Sequence, residues 1–208
     1  MAAKSTAVSN TAPRLLALVI AAVMMACLQL GAAQAANAAP DIDPLLLSVD
    51  EVRVIAGNAD LAAAAPVDRP GGQHQYDAQY PSQCHGVYNQ DVAFSGGYSQ
   101  FRSVSYPGPA NRTVTQAVAV YPTSADARAA LTRLGKALNA CSELGVPGMA
   151  ITAQVLDRAT FAVCEAQCST LYRATGPVLI GVDAAQFGDS DRIATAVLQQ
   201  ITGRAKAA

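Results

Sequence analysis

The spacing of apolar and polar positions changes several times along this chain, and each change predicts an element. Leu15 to Leu28 is almost continuously apolar, with only Lys4 and Arg14 charged ahead of it and Gly31 beyond. Ser48-Val49-Asp50-Glu51 fits a capping box, with Leu47 and Val52 placed as a hydrophobic staple and Gly57 as a left-handed stop. A short helix is therefore predicted over 49–56, with Val52 and Ile55 on its buried side. Asn58 to Tyr80 loses all periodicity, is broken by Pro66, Pro70, Gly71 and Gly72, and reads as a long mobile loop.

A short helical segment is expected from Pro81 to Tyr88, carrying Cys84. Tyr98 to Tyr106 and Thr113 to Tyr121 then read as two strands of a hairpin, joined across Pro107 to Asn111. Ser124 stands as the cap of a helix from Ala125 to about Asn139, whose stripe of Ala127, Leu131, Leu134 and Leu138 is continued by Cys141. Ala150 to Leu156, Thr160 to Glu165 and Thr170 to Thr175 read as strands. Val178 to Val182 is short and wholly apolar, as a central strand should be. A final helix starts near Asp189-Ser190-Asp191, with acids at its positive end and Ile193, Val197, Leu198 and Ile201 facing the core. Hairpins with helices packed on them make an α+β domain, a mainly antiparallel sheet with flanking helices.

The apolar N-terminal run changes the compartment. Its charged start, apolar core and the small-x-small triplet Ala33-Gln34-Ala35 fit an export signal over 1–35, cleaved to leave Ala36 first. Ala36-Asn37-Ala38 is a second cleavage position. Two other readings stand beside cleavage: a lipoprotein signal acylated at Cys27, and an uncleaved anchor, for which the run is short against the ~20 residues of a bilayer span. The domain plan is thus signal 1–35, linker 36–43 and one domain over 44–208. Without the signal, twelve Lys and Arg face fifteen acids, a net charge of −3. That balance excludes the basic stripe of a nucleic-acid binder or a polybasic membrane surface. No Trp and four Phe leave Leu, Val and Ile to fill the core, and disulfides would brace so light an interior.

Leu45 to Val52, Cys84-His85-Gly86, the Ala125-Asp126-Ala127 helix with Cys141 at its end, and Val178 to Val182 with the amphipathic helix after it resemble the PknH-like extracellular sensor domain. The resemblance runs from Pro44 to Arg204 and lies in element order and cysteine placement. That family forms the outer domain of mycobacterial receptor-type serine/threonine kinases and also occurs as free-standing secreted proteins or lipoproteins. It implies an antiparallel sheet with flanking helices, two disulfides and a cleft for an unknown ligand. No kinase glycine loop, catalytic loop or metal-binding aspartate motif is present in this sequence.

Four cysteines outside the signal allow three pairings, and sequence alone leaves them open. Placement favours Cys84 with Cys141, which continues the inward stripe of its helix. It also favours Cys164 with Cys168, which flank the three residues of a tight hairpin loop.

No catalytic constellation emerges. Cys164 and Cys168 have neither redox nor zinc-knuckle spacing, and a zinc site would need His74 or His85 as well. Gly188-Asp189-Ser190 is a fragment of a hydrolase motif, yet Ser190 suits a helix cap better. A Cys84–His85 thiol–imidazole pair would need a thiol that an oxidising compartment does not leave free. The sequence therefore predicts a non-catalytic, exported sensor or ligand-binding domain of the cell envelope, secreted or held through Cys27. No cofactor and no metal are called for. The resemblance implies an envelope small molecule, such as a lipid or glycan fragment, as the partner, with an envelope protein partner also admitted and no nucleic acid. The alternative is a carrier or chaperone of an apolar envelope molecule. Candidate ligand-binding residues are Arg102, Tyr106 and Tyr121 on the first hairpin and Tyr172 and Arg173 on a later strand, read as polar positions on an accessible sheet face.

Overall fold

A computed structural model describes residues 41–165 and 169–208. The export signal, the linker as far as Pro40, and Cys168 lie outside the described residues, and with them the cleavage, lipidation and Cys164–Cys168 expectations.

Helix α1 (Val49–Ala56) has the capping box its sequence announces. Ser48 Oγ accepts from the Glu51 amide, Glu51 accepts from the Ser48 amide at 2.8 Å, and Gly57 closes the helix at φ 59°. Leu47 and Val52 are buried in the same cluster, so the staple forms. After a 3-10 turn at Ser82–Val87 and the one-turn helix α2 (Gln90–Ala93), strands β1 (Gln100–Pro107) and β2 (Thr113–Val120) make the expected hairpin. Helix α3 (Ser124–Leu144) is longer than its apolar stripe suggests and carries Cys141 within it. Its cap is Thr123, one residue earlier than expected: Thr123 Oγ1 accepts from the Asp126 amide at 3.1 Å. Strands β3 (Thr152–Asp157), β4 (Thr160–Cys164), β5 (Thr170–Thr175) and β6 (Val178–Ala185) follow, then helix α4 (Ser190–Ala207).

Ser190 is not the cap that the sequence suggests. It is the first helical residue, and its buried hydroxyl bonds the carbonyl and amide of Phe187, folding the preceding loop back on the helix.

Six antiparallel strands lie in the order β1-β2-β6-β5-β4-β3, with the apolar strand β6 near the middle as expected. Alternate residues face opposite layers. Val114, Val118, Ile180 and Val182 meet Val52, Ile193, Val197 and Ile201, so α1 and α4 cover one face. Ala117, Ala119, Leu179 and Phe161 meet Leu131, Leu134, Leu138 and Phe94, so α3 and the 3-10 turn cover the other. The Cys84–Cys141 disulfide fastens that turn to α3, as placement predicted.

The stretch from Asn58 to Tyr80 is pinned rather than loose. Ala62, Ala64 and Val67 donate backbone amides to Pro107, Ser105 and Ser103 at 2.9–3.0 Å, covering the β1 edge. Backbone groups left unpaired on an edge strand drive that pairing, whatever the side chains. Farther along, the His74 ring bridges Asp77 (2.9 Å) and Asp91 (2.8 Å). Asn89 adds a bond to Asp77 at 2.8 Å and accepts the Gln73 amide at 2.6 Å.

Candidate functional site

Helix α3 does not cover its whole face of the sheet. Along β2 the residues on that face run Ala119, Ala117, then Thr115; along β6 they run Leu179, Gly181, then Asp183; along β5 they run Ala174, Tyr172, then Thr170. The register aligns these changes. Thr115 lies opposite Ser105 on one side and Asp183 on the other, and Asp183 lies opposite Thr170. A polar row thus crosses four strands at one level, tied by Ser105 Oγ to Thr115 Oγ1 at 3.0 Å and by Thr170 donating to Asp183 at 2.6 Å.

Above this row is a cavity of about 620 Å³, within the usual range for small-molecule sites. Its walls are the Gly86–Gln90 stretch, Ile151, Val163 and Glu165 on one side and the Gln186–Phe187 loop on the other. Tyr172 stands where the apolar core gives way to the polar floor. Its ring packs edge-on against Phe94, 6.1 Å between centroids, over Gly181. A Cβ at Gly181 would meet Phe94 Cζ at 2.8 Å and Tyr172 Cε1 at 3.1 Å, so glycine is what lets both rings settle on the sheet. Tyr172 is only 7 % exposed and lines the cavity, yet no group among the described residues bonds its hydroxyl. Burial pushes the Tyr172 phenol up, and the Asp183 charge adds to the rise. Burial likewise pushes the Asp183 carboxyl up, opposed by the Thr170 bond and reinforced by Glu165.

The five residues singled out from the sequence do not converge. Tyr172 is the one that lines this cavity. Arg102 and Tyr106 border a second hollow, about 510 Å³, on the opposite face between β1 and the start of α1. Arg102 is held there by Asp43, Nε to Oδ1 at 2.7 Å. Tyr106 is buried, donating to the Leu47 carbonyl at 2.6 Å and accepting from Gln116 at 2.7 Å. Glu51 and Arg204 form a close pair in the same hollow, and Glu51 is held below its usual range chiefly by the Ser48 amide. Tyr121 is sealed in the α3 core, donating to the Phe94 carbonyl at 2.9 Å, and burial pushes its phenol up to about 12. Arg173 bonds Asp157 (3.1 Å) and Thr160 (2.6 Å). The physical reasons differ: helices cover most of both sheet faces, so Tyr106 and Tyr121 are core, while Arg102 and Arg173 are tied to carboxylates.

The residues that sequence reasoning passed over are Thr115, Glu165, Thr170 and Asp183. Each is unremarkable in its own segment, and only the strand register gathers them. Cys84 is disulfide-bonded, so no thiol–imidazole pair with His85 exists. Among the described residues no group of three His, Cys, Asp or Glu side chains could hold a metal ion.

Comparisons with known proteins agree with this architecture. The family model of the PknH-like extracellular domain matches residues 38–204. The crystal structure of the extracellular domain of PknH from Mycobacterium tuberculosis is similar in fold, with a TM-score of 0.59 and 18 % identity, covering 79 % of this chain and 94 % of that one. No curated protein sequence matches significantly. Both matches are to an extracellular domain rather than a kinase catalytic domain, which accords with an exported location and a sensor-type role. The chain belongs to the PknH-like extracellular domain family.

Proposed function

We propose that this is a non-catalytic ligand-binding domain of the cell envelope, exported through its N-terminal segment, which receives a small molecule in the cavity beneath the open end of the α3 face. The observation that carries the reading is the Tyr172 hydroxyl, which opens on the cavity and is unbonded among the described residues, beside a polar row on a rigid sheet. A bound ligand with a hydrogen-bonding group would supply the partner that this hydroxyl does not find among the described residues. The walls come from a disulfide-fastened turn and a loop folded by Ser190, so the site is largely preformed. A polar floor suits a ligand with hydrogen-bonding groups better than the wholly apolar cargo of a carrier.

In this reading cleavage after Ala35 releases the domain, and acylation at Cys27 is the alternative mode of retention. A Cys164–Cys168 bridge would brace the loop beside Glu165. Native mass spectrometry of protein isolated from its own envelope tests the proposal. A retained small molecule is expected, and it should be lost in Ala185→Trp, which fills the cavity from its floor. An empty wild-type protein, or equal retention in the folded variant, would overturn it.

A further inference from the structure

The charge of the cavity narrows the ligand, on the assumption that this cavity is the binding site. Two acids line it, Asp183 on the floor and Glu165 on the wall, and among the described residues no Lys, Arg or His does. The three residues beside Glu165 that lie outside the described ones, Ala166 to Cys168, carry no charge. Arg112 lies over the Phe187 ring, 6.0 Å from its centroid, and does not itself line the cavity. An anionic group entering here would meet two carboxylates and no counter-charge. Phosphate, sulfate and carboxylate ligands are disfavoured on that ground.

Asp183 has room for a donor. Thr170 occupies Oδ1, and no described group bonds Oδ2. The neighbouring Tyr172, a residue only 7 % exposed, also has no partner for its hydroxyl among the described residues. Three aromatic residues, Tyr88, Tyr172 and Phe187, line the same space, and ring faces attract cations. Val87, Ile151 and Val163 add apolar wall for a carbon skeleton.

We infer that the cavity selects a small molecule bearing a protonated amine, with the ammonium seated between the Asp183 carboxylate and the Tyr172 hydroxyl and its carbon skeleton against Ile151 and Val163. A half-buried carboxylate bordered by a second acid is destabilised when alone. An ammonium is the group that offsets this, through a charge-assisted hydrogen bond.

Three probes with one skeleton and different heads provide the test: cyclohexylamine, cyclohexanol and cyclohexanecarboxylate, titrated into the exported domain at neutral pH while amide shifts are followed by NMR. The amine should bind about tenfold or more tightly than the alcohol, and the carboxylate least, with shifts centred on Val163, Thr170 and Tyr172. Asp183→Asn should abolish the preference for the amine over the alcohol. Because Asp183 lies in a central strand, Glu165→Gln on the rim is the second variant, expected to weaken amine binding by about two- to threefold with the fold intact. Carboxylate binding equal to the amine's, or an amine preference that survives Asp183→Asn in folded protein, would overturn the inference. Shifts at the cavity from the alcohol or carboxylate alone would leave the cavity a ligand site and refute only its amine selectivity. No cavity shift from any probe would refute both.

Discussion

The two faces of the sheet are built from the same strands and finished differently. On the α1–α4 side, apolar residues continue to the end of β2 and β6: Val114, Val182 and Ala184 are as buried as Val118 and Ile180. On the α3 side the same two strands turn polar at Thr115 and Asp183, where the helix no longer lies above them. Alternation along one strand thus specifies a closed core on one face and an open, polar-floored hollow on the other. In the proposed reading, stability and recognition fall on opposite sides of β2 and β6, two residues or fewer apart. Changes on the closed face should damage folding, and changes at the open end should damage binding.

Removing the disulfide should cost most. Cys84 and Cys141 are 57 residues apart, for which the chain-entropy model gives about 4 kcal/mol. Denaturant unfolding of a Cys84→Ser/Cys141→Ser double variant should show that loss. Because the bridge holds a cavity wall, ligand retention should also fall; a variant that keeps its full stability would contradict the bracing role.

Truncation separates the faces directly. Ile201→Ala, on the fully buried α4 side, should cost about 3 kcal/mol in urea unfolding. Thr115→Ala, at the open end, should cost under about 1 kcal/mol. Equal losses would mean that the open end is packed core after all. Between them lies Gly181→Ala, where the added methyl meets two ring edges. About 2 kcal/mol of destabilisation is expected from such overpacking, with a displaced Tyr172 visible in its ring proton shifts.

The smallest effect is at the His74 clamp, on the rim segment that supplies Gln73 to the cavity. Bonds from Asp77 and Asp91 raise His74 above its ordinary value of 6.5, so its contribution is full below that pH and fades as pH rises through the folded value. The His74 bond lowers Asp77 from 3.8, so its contribution is full above that pH and fades as pH falls through the folded value. The clamp is tightest between roughly pH 4 and 6.5. Hydrogen exchange at the Gln73 amide should be slowest in that window, and His74→Ala should flatten the profile. A pH-independent protection in the wild type would show that the ring does not hold this segment.

These expectations also show what a sequence can and cannot convey here. Helix α1 is fully legible because every signal is local: cap, staple and stop lie within eleven residues, Leu47 to Gly57. Strand β6 is legible as far as Val182 and then obscured: Asp183 breaks the apolar run, the pairing of Thr113 with Ala185 shows that the strand goes on, and Asp183 itself pairs with Thr115 and Thr170. Those partners are 68 and 13 residues away. The tyrosines mislead for the opposite reason. A Tyr on an alternating strand suits a wet face, and nothing near Tyr106 or Tyr121 in sequence reveals the helices and carbonyls that enclose them. The Asn58–Tyr80 segment has no periodicity because backbone pairing to β1 and the His74 clamp, not a buried side-chain stripe, hold it.

Hydrogen exchange on the protein as isolated from its envelope, before and after its small-molecule content is removed by unfolding and refolding, tests the central claim most directly. The account predicts that protection is lost at the cavity walls, Gly86–Gln90 and Gln186–Ser190, while β2, β6 and α4 are unchanged on the α1 side. Loss of protection centred on α1 and the Arg102–Arg204 hollow, or none anywhere, would contradict it.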